Sequence, residues 1–240
     1  MTSIKLNSRS LKSLLAIVSL AGTFLAGCDS LPGRPTQAEL PLRPSNVTDF
    51  ATLYGENCAG CHGADGKSGA AIAMNNPVYL AIIDDASMRR VIANGSPGTA
   101  MPPFAQSAGG PLTDRQIDLL MRGIRKSWTG APGAAEGAPP YFSSTAGDSS
   151  RGAQVYATSC QSCHGPDGRG GSAGSIEDAS YLSLISNQYL RTIVIAGRPD
   201  IGHPDWKHDV SGQPLTPEQV SDVVAWLASK RPPPPLAQSN

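Results

Sequence analysis

The sequence predicts an all-α protein made of two tandem copies of one helical unit, joined by a Gly/Ala/Pro-rich linker. Three observations predict it. The chain repeats itself at an offset of 102 residues: Ala51-Thr52-Leu53-Tyr54 with Ala153-Gln154-Val155-Tyr156, Gly63-Ala64-Asp65-Gly66-Lys67 with Gly165-Pro166-Asp167-Gly168-Arg169, Tyr79-Leu80 with Tyr181-Leu182, Arg89 with Arg191, and Gly95 with Gly197. Apolar residues recur at helical spacing late in each copy, and no stretch sustains the alternation of a half-buried strand. Each copy also carries one five-residue pattern, Cys58-Ala59-Gly60-Cys61-His62 and Cys160-Gln161-Ser162-Cys163-His164.

The chain begins with a basic stretch, Lys5, Arg9 and Lys12, followed by an apolar run from Leu14 to Leu25. That build is a secretory signal, and it is too short for a comfortable membrane span. The run ends Leu25-Ala26-Gly27-Cys28, which resembles the bacterial lipobox. Residues 1–27 are therefore expected to be a lipoprotein signal, and Cys28 the lipidated N-terminus of the mature chain. Several acyl chains, at about 0.8 kcal/mol per buried CH₂, make a durable anchor. Asp29 after the cysteine favours the inner membrane. Residues 28–47 hold Pro32, Pro35, Pro41 and Pro44 and are expected to be an extended tether.

Residues 48–128 form the first unit. A helix is expected over Asp49 to Asn57, running into the first Cys-x-x-Cys-His. Shorter helices are expected over Tyr79 to Ile83 and Ser87 to Asn94, the latter stopped near Gly95. Thr113 is a plausible N-cap for a helix with Ile117, Leu120, Met121 and Ile124 on one face. Residues 129–147 are the linker and 148–232 the second unit. After one inserted residue the offset becomes 103, pairing Leu112-Thr113 with Leu215-Thr216. There Thr216 caps a helix with Pro217 at its first position and Val220, Val223, Val224 and Leu227 along one stripe. Residues 233–240 are a tail.

Composition limits what such units can do alone. With 26 Gly, 21 Pro and 5% aromatic residues the chain is loop-rich, and a unit of ~80 residues has a marginal core. A flat apolar cofactor would supply what the side chains lack. The full chain balances 19 basic against 19 acidic residues. Without residues 1–27 it holds 16 against 19, a net charge of −3, which is not the balance of a nucleic-acid binder.

Cys-x-x-Cys-His is the attachment signature of c-type haem. Two sulfurs about one turn apart reach the two vinyl groups, and the following imidazole faces the iron. A structural zinc site is the first alternative, but the gap from Cys61 to Cys160 is too long and zinc leaves each His unexplained. A thioredoxin-like pair expects a βαβ context. A plain disulfide explains neither His. Cys58, Cys61, Cys160 and Cys163 are thus expected to hold two covalently bound haem c groups, with His62 and His164 as proximal iron ligands.

The chain resembles a tandem of two class I cytochrome c domains over about residues 48–128 and 148–231. In that family a loop between the first and last helices supplies the sixth iron ligand, usually Met. The resemblance implies an all-α fold and electron transfer, and it assigns Met101, 39 residues after His62 and followed by Pro102. Met74, Met88 and Met121 are the other methionines of the unit. The second unit has no methionine. His203, 39 residues after His164 and followed by Pro204, stands at the Met101 position; His208, Lys207 or an open iron are the alternatives. The expected function is a membrane-tethered dihaem electron carrier of a respiratory or photosynthetic chain. It would sit on the periplasmic side, with a membrane redox complex or other cytochromes as partners. The other reading is a haem enzyme, of peroxidase or nitrogen-oxide reductase type, with an open iron at the second haem.

Overall fold

The computed structural model describes residues 33, 35–36, 40–128, 130 and 132–232. The expected signal, Cys28 and most of the expected tether lie outside them. The chain divides at Arg43, and both repeats belong to the unit that starts at Pro44. Among the described residues there is no strand, only isolated bridges at Ala105–Leu112 and Arg198–His203. No helix there is long and apolar enough to cross a membrane.

The first repeat runs α1 (Phe50–Asn57), α2 (Ala59–His62), α3 (Pro77–Ile82), α4 (Asp85–Asn94) and α5 (Asp114–Trp128). The second runs α6 (Ser149–Ser159), α7 (Gln161–His164), α8 (Ala179–Ser183), α9 (Asn187–Ala196) and α10 (Pro217–Ser229). The helices start where a short polar side chain satisfies orphan N–H groups. Asp49 accepts from Thr52 N–H at 2.8 Å, and Asp148 from the N–H groups of Ser150 and Arg151 at 2.8 and 3.0 Å. Asn76 caps α3 with Pro77 at the first position, and Asp84 caps α4. Both of these helices therefore begin two residues earlier than the apolar pattern predicts. Thr216 and Gln219 form a reciprocal capping box on α10.

The first and last helices of each repeat cross at a glycine. Gly123 on α5 lies against the Phe50 ring of α1, where an added Cβ would come within 2.1 Å of it. In the second repeat the roles are exchanged. Gly152 on α6 stands at the Phe50 position and Trp226 on α10 at the Gly123 position. A Cβ at Gly152 would meet the Asp222 carbonyl oxygen at 2.0 Å and Trp226 Cβ at 2.8 Å. Each crossing thus pairs one glycine with one aromatic residue, on opposite partners, through the ring of Phe50 in the first repeat and through backbone and the Trp226 Cβ in the second. The indoles end in similar places. Trp128 packs edge-on to Tyr54 and covers Gly66, while Trp226 stacks on Tyr156 and reaches Gly168.

One apolar core runs through both repeats. Leu53, Ile83, Met88, Ile117, Leu120 and Ile124 of the first join Ile195, Ala196, Trp206, Leu215 and Val220 of the second. A smaller cluster of Tyr156, Leu190, Val223, Val224, Trp226 and Leu227 fills the second repeat. Burial of each such large apolar side chain is worth about 1.5–3 kcal/mol, so the two repeats are packed together and not merely strung. The connecting segment is also tied down. Tyr141 is buried, and its carbonyl accepts from Gln188 Nε2 at 2.8 Å and Arg191 Nε at 3.1 Å.

The two glycines differ in what an added methyl would strike. Gly152→Ala meets backbone, which cannot rotate away, and should destabilise the intact protein by about 1–3 kcal/mol. Gly123→Ala meets a ring that can turn and should cost less. Denaturant midpoints of the two variants check the order.

Candidate metal centres

Each Cys-x-x-Cys-His is a single helical turn at the end of the repeat's first helix. The N–H of His62 donates to the Cys58 carbonyl at 3.0 Å, and that of His164 to the Cys160 carbonyl at 3.0 Å. The loop that follows folds back onto the turn. Ala71 N–H donates to the Cys61 carbonyl at 2.9 Å and Ala173 N–H to the Cys163 carbonyl at 3.0 Å. Gly69 sits so close that a Cβ would lie 2.2 Å from the Cys61 carbonyl oxygen. The tyrosines of the first helices brace both turns: Tyr54 OH donates to the Gly63 carbonyl at 3.0 Å and Tyr156 OH to the Gly165 carbonyl at 2.6 Å.

This return of the chain orients the histidines. His62 Nδ1 donates to the Ile72 carbonyl at 2.8 Å and His164 Nδ1 to the Gly174 carbonyl at 3.3 Å, each ten residues downstream. A carbonyl only accepts, so the proton is on Nδ1 and Nε2 keeps its lone pair for a metal. Burial also lowers the His62 pKa and keeps the ring neutral, as metal binding requires. Cys58 and Cys160 are half-buried and not paired in a disulfide, and burial pushes the pKa of a thiol at either position up to about 12. Buried thiols of this kind are not the low-pKa nucleophiles of a redox pair. Among the described residues no three His, Cys, Asp or Glu converge on a metal-holding point, so the two Cys-x-x-Cys pairs do not form a zinc site together.

The loops after α4 and α9 bring up the second set of expected ligands. Gly95 and Gly197 end these helices at φ of 66° and 64°. A Cβ at Gly95 would lie 2.6 Å from the Met101 carbonyl oxygen, and one at Gly197 would lie 2.6 Å from Pro204 backbone. Only glycine satisfies both the left-handed φ and the close approach. Each loop closes with one bond at matching positions. Ser96 N–H donates to the Met101 carbonyl at 3.1 Å and Arg198 N–H to the His203 carbonyl at 3.0 Å. Met101 is half-buried there, whereas Met74 and Met88 are buried in the core and Met121 packs against it.

In the second repeat the rings of His164 and His203 lie close together, with centres 5.9 Å apart and planes tilted by 47°. A metal–imidazole bond is about 2 Å and the ring centre lies ~1.2 Å behind the nitrogen, so two imidazoles that share one metal would have centres up to about 6.4 Å apart, half an ångström more than here. His203 Nδ1 donates to the Pro204 carbonyl at 2.8 Å, which leaves Nε2 bare, and burial lowers its pKa. His208 lines the same cavity as His203 but engages a different partner. Its side chain is 71% exposed and its Nδ1 is 2.7 Å from the Asp205 carboxylate.

The two loops also join the repeats. Ala100 N–H donates to the Leu184 carbonyl at 3.2 Å. Asn76, 1% exposed, gives its Nδ2 protons to the carbonyls of Ala196 and Gly197 at 2.8 and 3.3 Å. Arg198 and Asp200 form an ion pair at 2.8 Å, with side chains only 8% and 4% exposed. Sequence reading passed over this pair because neither residue belongs to a motif. The hydrogen bond from Arg198 holds the Asp200 carboxyl down at about 2, below its ordinary 3.8. Its contribution to stability is therefore present above about pH 4 and lost as pH falls toward 2. The stability difference between the natural protein and Asp200→Asn should stay flat from about pH 7 to 5 and vanish between about pH 4 and 2. Denaturant unfolding across that range measures it.

Comparison with known proteins agrees with this architecture. The family described as cytochrome c oxidase, cbb3-type, subunit III matches residues 45–122, and the family described as cytochrome c matches residues 149–230. A cbb3-type cytochrome c oxidase subunit FixPc of Rhizobium leguminosarum bv. viciae is 28% identical over 69% of this chain and 56% of its own. A CcoP subunit of the same oxidase type from Rubrivivax gelatinosus is 27% identical over 82% of this chain and 58% of its own. The chain thus spans little more than half the length of these relatives. Two families of one kind, matched at the two repeats, make this chain a tandem of two cytochrome c-type domains with two covalently bound haem c groups.

Proposed function

We propose that the chain is a membrane-tethered dihaem carrier of single electrons. Cys58 and Cys61 attach one haem, Cys160 and Cys163 the other. His62 and Met101 would hold the first iron, and His164 and His203 the second. The haem supplies an iron that cycles between ferric and ferrous. The chain supplies the attachment, two fixed imidazoles with bare Nε2 atoms, and loops that close the other faces.

The observation that carries this reading is the approach of the His164 and His203 rings to 5.9 Å between centres. An iron held between two imidazoles has no position left for a substrate, which favours a carrier over a haem enzyme. His208, bonded to Asp205 at the surface, gives no support to the alternative ligand. A partner is suggested by the relatives, whose printed names are cbb3-type oxidase subunits. We take this chain to serve a membrane oxidase of that kind from the periplasmic side. Cys28 at the end of the Leu25-Ala26-Gly27 run would be the lipid anchor.

The two ligand sets make the haems unequal. A thioether favours ferrous iron and raises the potential, whereas a second imidazole lowers it. Electrons should then run from the second haem to the first. Low-temperature EPR of the oxidised holoprotein should show one His/Met and one bis-His low-spin signal. His203→Ala should turn the second signal high-spin and open that haem to carbon monoxide, while His208→Ala leaves both signals as they were. A natural protein whose second haem is already high-spin and binds carbon monoxide would be a haem enzyme instead. In a redox titration the His/Met haem should titrate at the higher potential.

A further inference from the structure

Arg198 lies between the two centres and touches the chain around both. Its backbone is bridged to His203 in both directions, N–H to carbonyl at 3.0 Å each way. Its guanidinium reaches the other domain, where Nη2 donates to the Gly69 carbonyl at 2.9 Å. Gly69 is packed on the first haem motif, with an imagined Cβ 2.2 Å from the Cys61 carbonyl oxygen and 2.7 Å from the His62 carbonyl carbon. Asp200 completes the contact. It binds the guanidinium through both oxygens, at 2.9 and 2.8 Å, and accepts from Ser68 N–H at 2.8 Å. The first domain has only Ser96 at the matching position, so the bridge is a property of the second domain's loop.

We propose that the Arg198–Asp200 pair is a positioning element that locks the His203 loop onto the His62 turn and balances the electric field felt by both irons. The proposal rests on His62 and His203 being ligands of the two haems, as argued above. A buried charge acts over several ångströms with little screening. A cation near a haem opposes loss of an electron, and an anion favours it. The pair in place is nearly neutral. Removing one partner leaves the other's charge exposed to two irons at once.

The test is spectroelectrochemical titration of the full holoprotein at about pH 8, with EPR on each variant to check that both ligand sets persist. Arg198→Gln leaves Asp200 unbalanced, with Ser68 N–H still donating to it, and should lower both potentials. Asp200→Asn leaves Arg198 unbalanced and should raise both. The double variant should return close to the natural values. Arg198→Lys keeps the charge without the planar fork and should hold both potentials while weakening the contact to Gly69. It also stands in, with Asp200→Asn, if Arg198→Gln does not yield holoprotein. A purely structural contact would admit water to both sites in either single variant and move the potentials in one common direction. That result, or no shift at all, overturns the proposal. EPR of the natural protein without a bis-His signal overturns instead the ligand reading on which it stands.

Discussion

A histidine after a single helical turn has no reason of its own to point anywhere in particular. In both domains the ring is fixed by a carbonyl ten residues later, Ile72 for His62 and Gly174 for His164. That contact requires the chain to come back over the motif, which explains the local glycines and the backbone bonds to Cys61 and Cys163. It also sets the tautomer, and with it the single nitrogen available to a metal. The first helix, its tyrosine brace and the final helix that packs across it serve to hold this turn still.

Much of this was legible in the sequence because it is written in spacing. The 102-residue offset, the two Cys-x-x-Cys-His patterns and the equal distances to Met101 and His203 need no tertiary information. The main helices of the first repeat were recoverable to within two residues at their starts, and α10 from its Thr-Pro start, whereas α6, α8 and α9 were not assigned individually. Residues whose meaning depends on the partner they meet were not recoverable. Asn76 looks like a turn residue and is a buried clasp on Ala196 and Gly197. Arg191, the repeat partner of Arg89, holds Pro140 and Tyr141, whereas Arg89 pairs with Asp114 and Asp118. The linker reads as loose from its composition but is strapped to α9 by those bonds.

The seam between the domains shares this character. Its apolar part is continuous with the core of the first domain, and its polar part comes from the loops that carry Met101 and His203. The expected ligand loops therefore have two duties, one toward the iron and one toward the neighbouring domain. The contacts of Ala100 with Leu184, Asn76 with Gly197 and Arg198 with Gly69 place the seam within a few residues of the expected ligands.

A chain that contains two versions of one fold risks pairing the first helix of one with the last helix of the other. The exchanged glycines at the helix crossings bear on that hazard. If α1 met α10, Phe50 and Trp226 would compete for the same space. If α6 met α5, Gly152 would face Gly123 and leave a hole where a ring belongs. Each wrong pairing is penalised, one by crowding and one by a void, whereas each right pairing sets an aromatic residue against a glycine. The duplicated halves thereby differ at four matched positions, Phe50, Gly123, Gly152 and Trp226, in a way that favours each first helix with its own last helix.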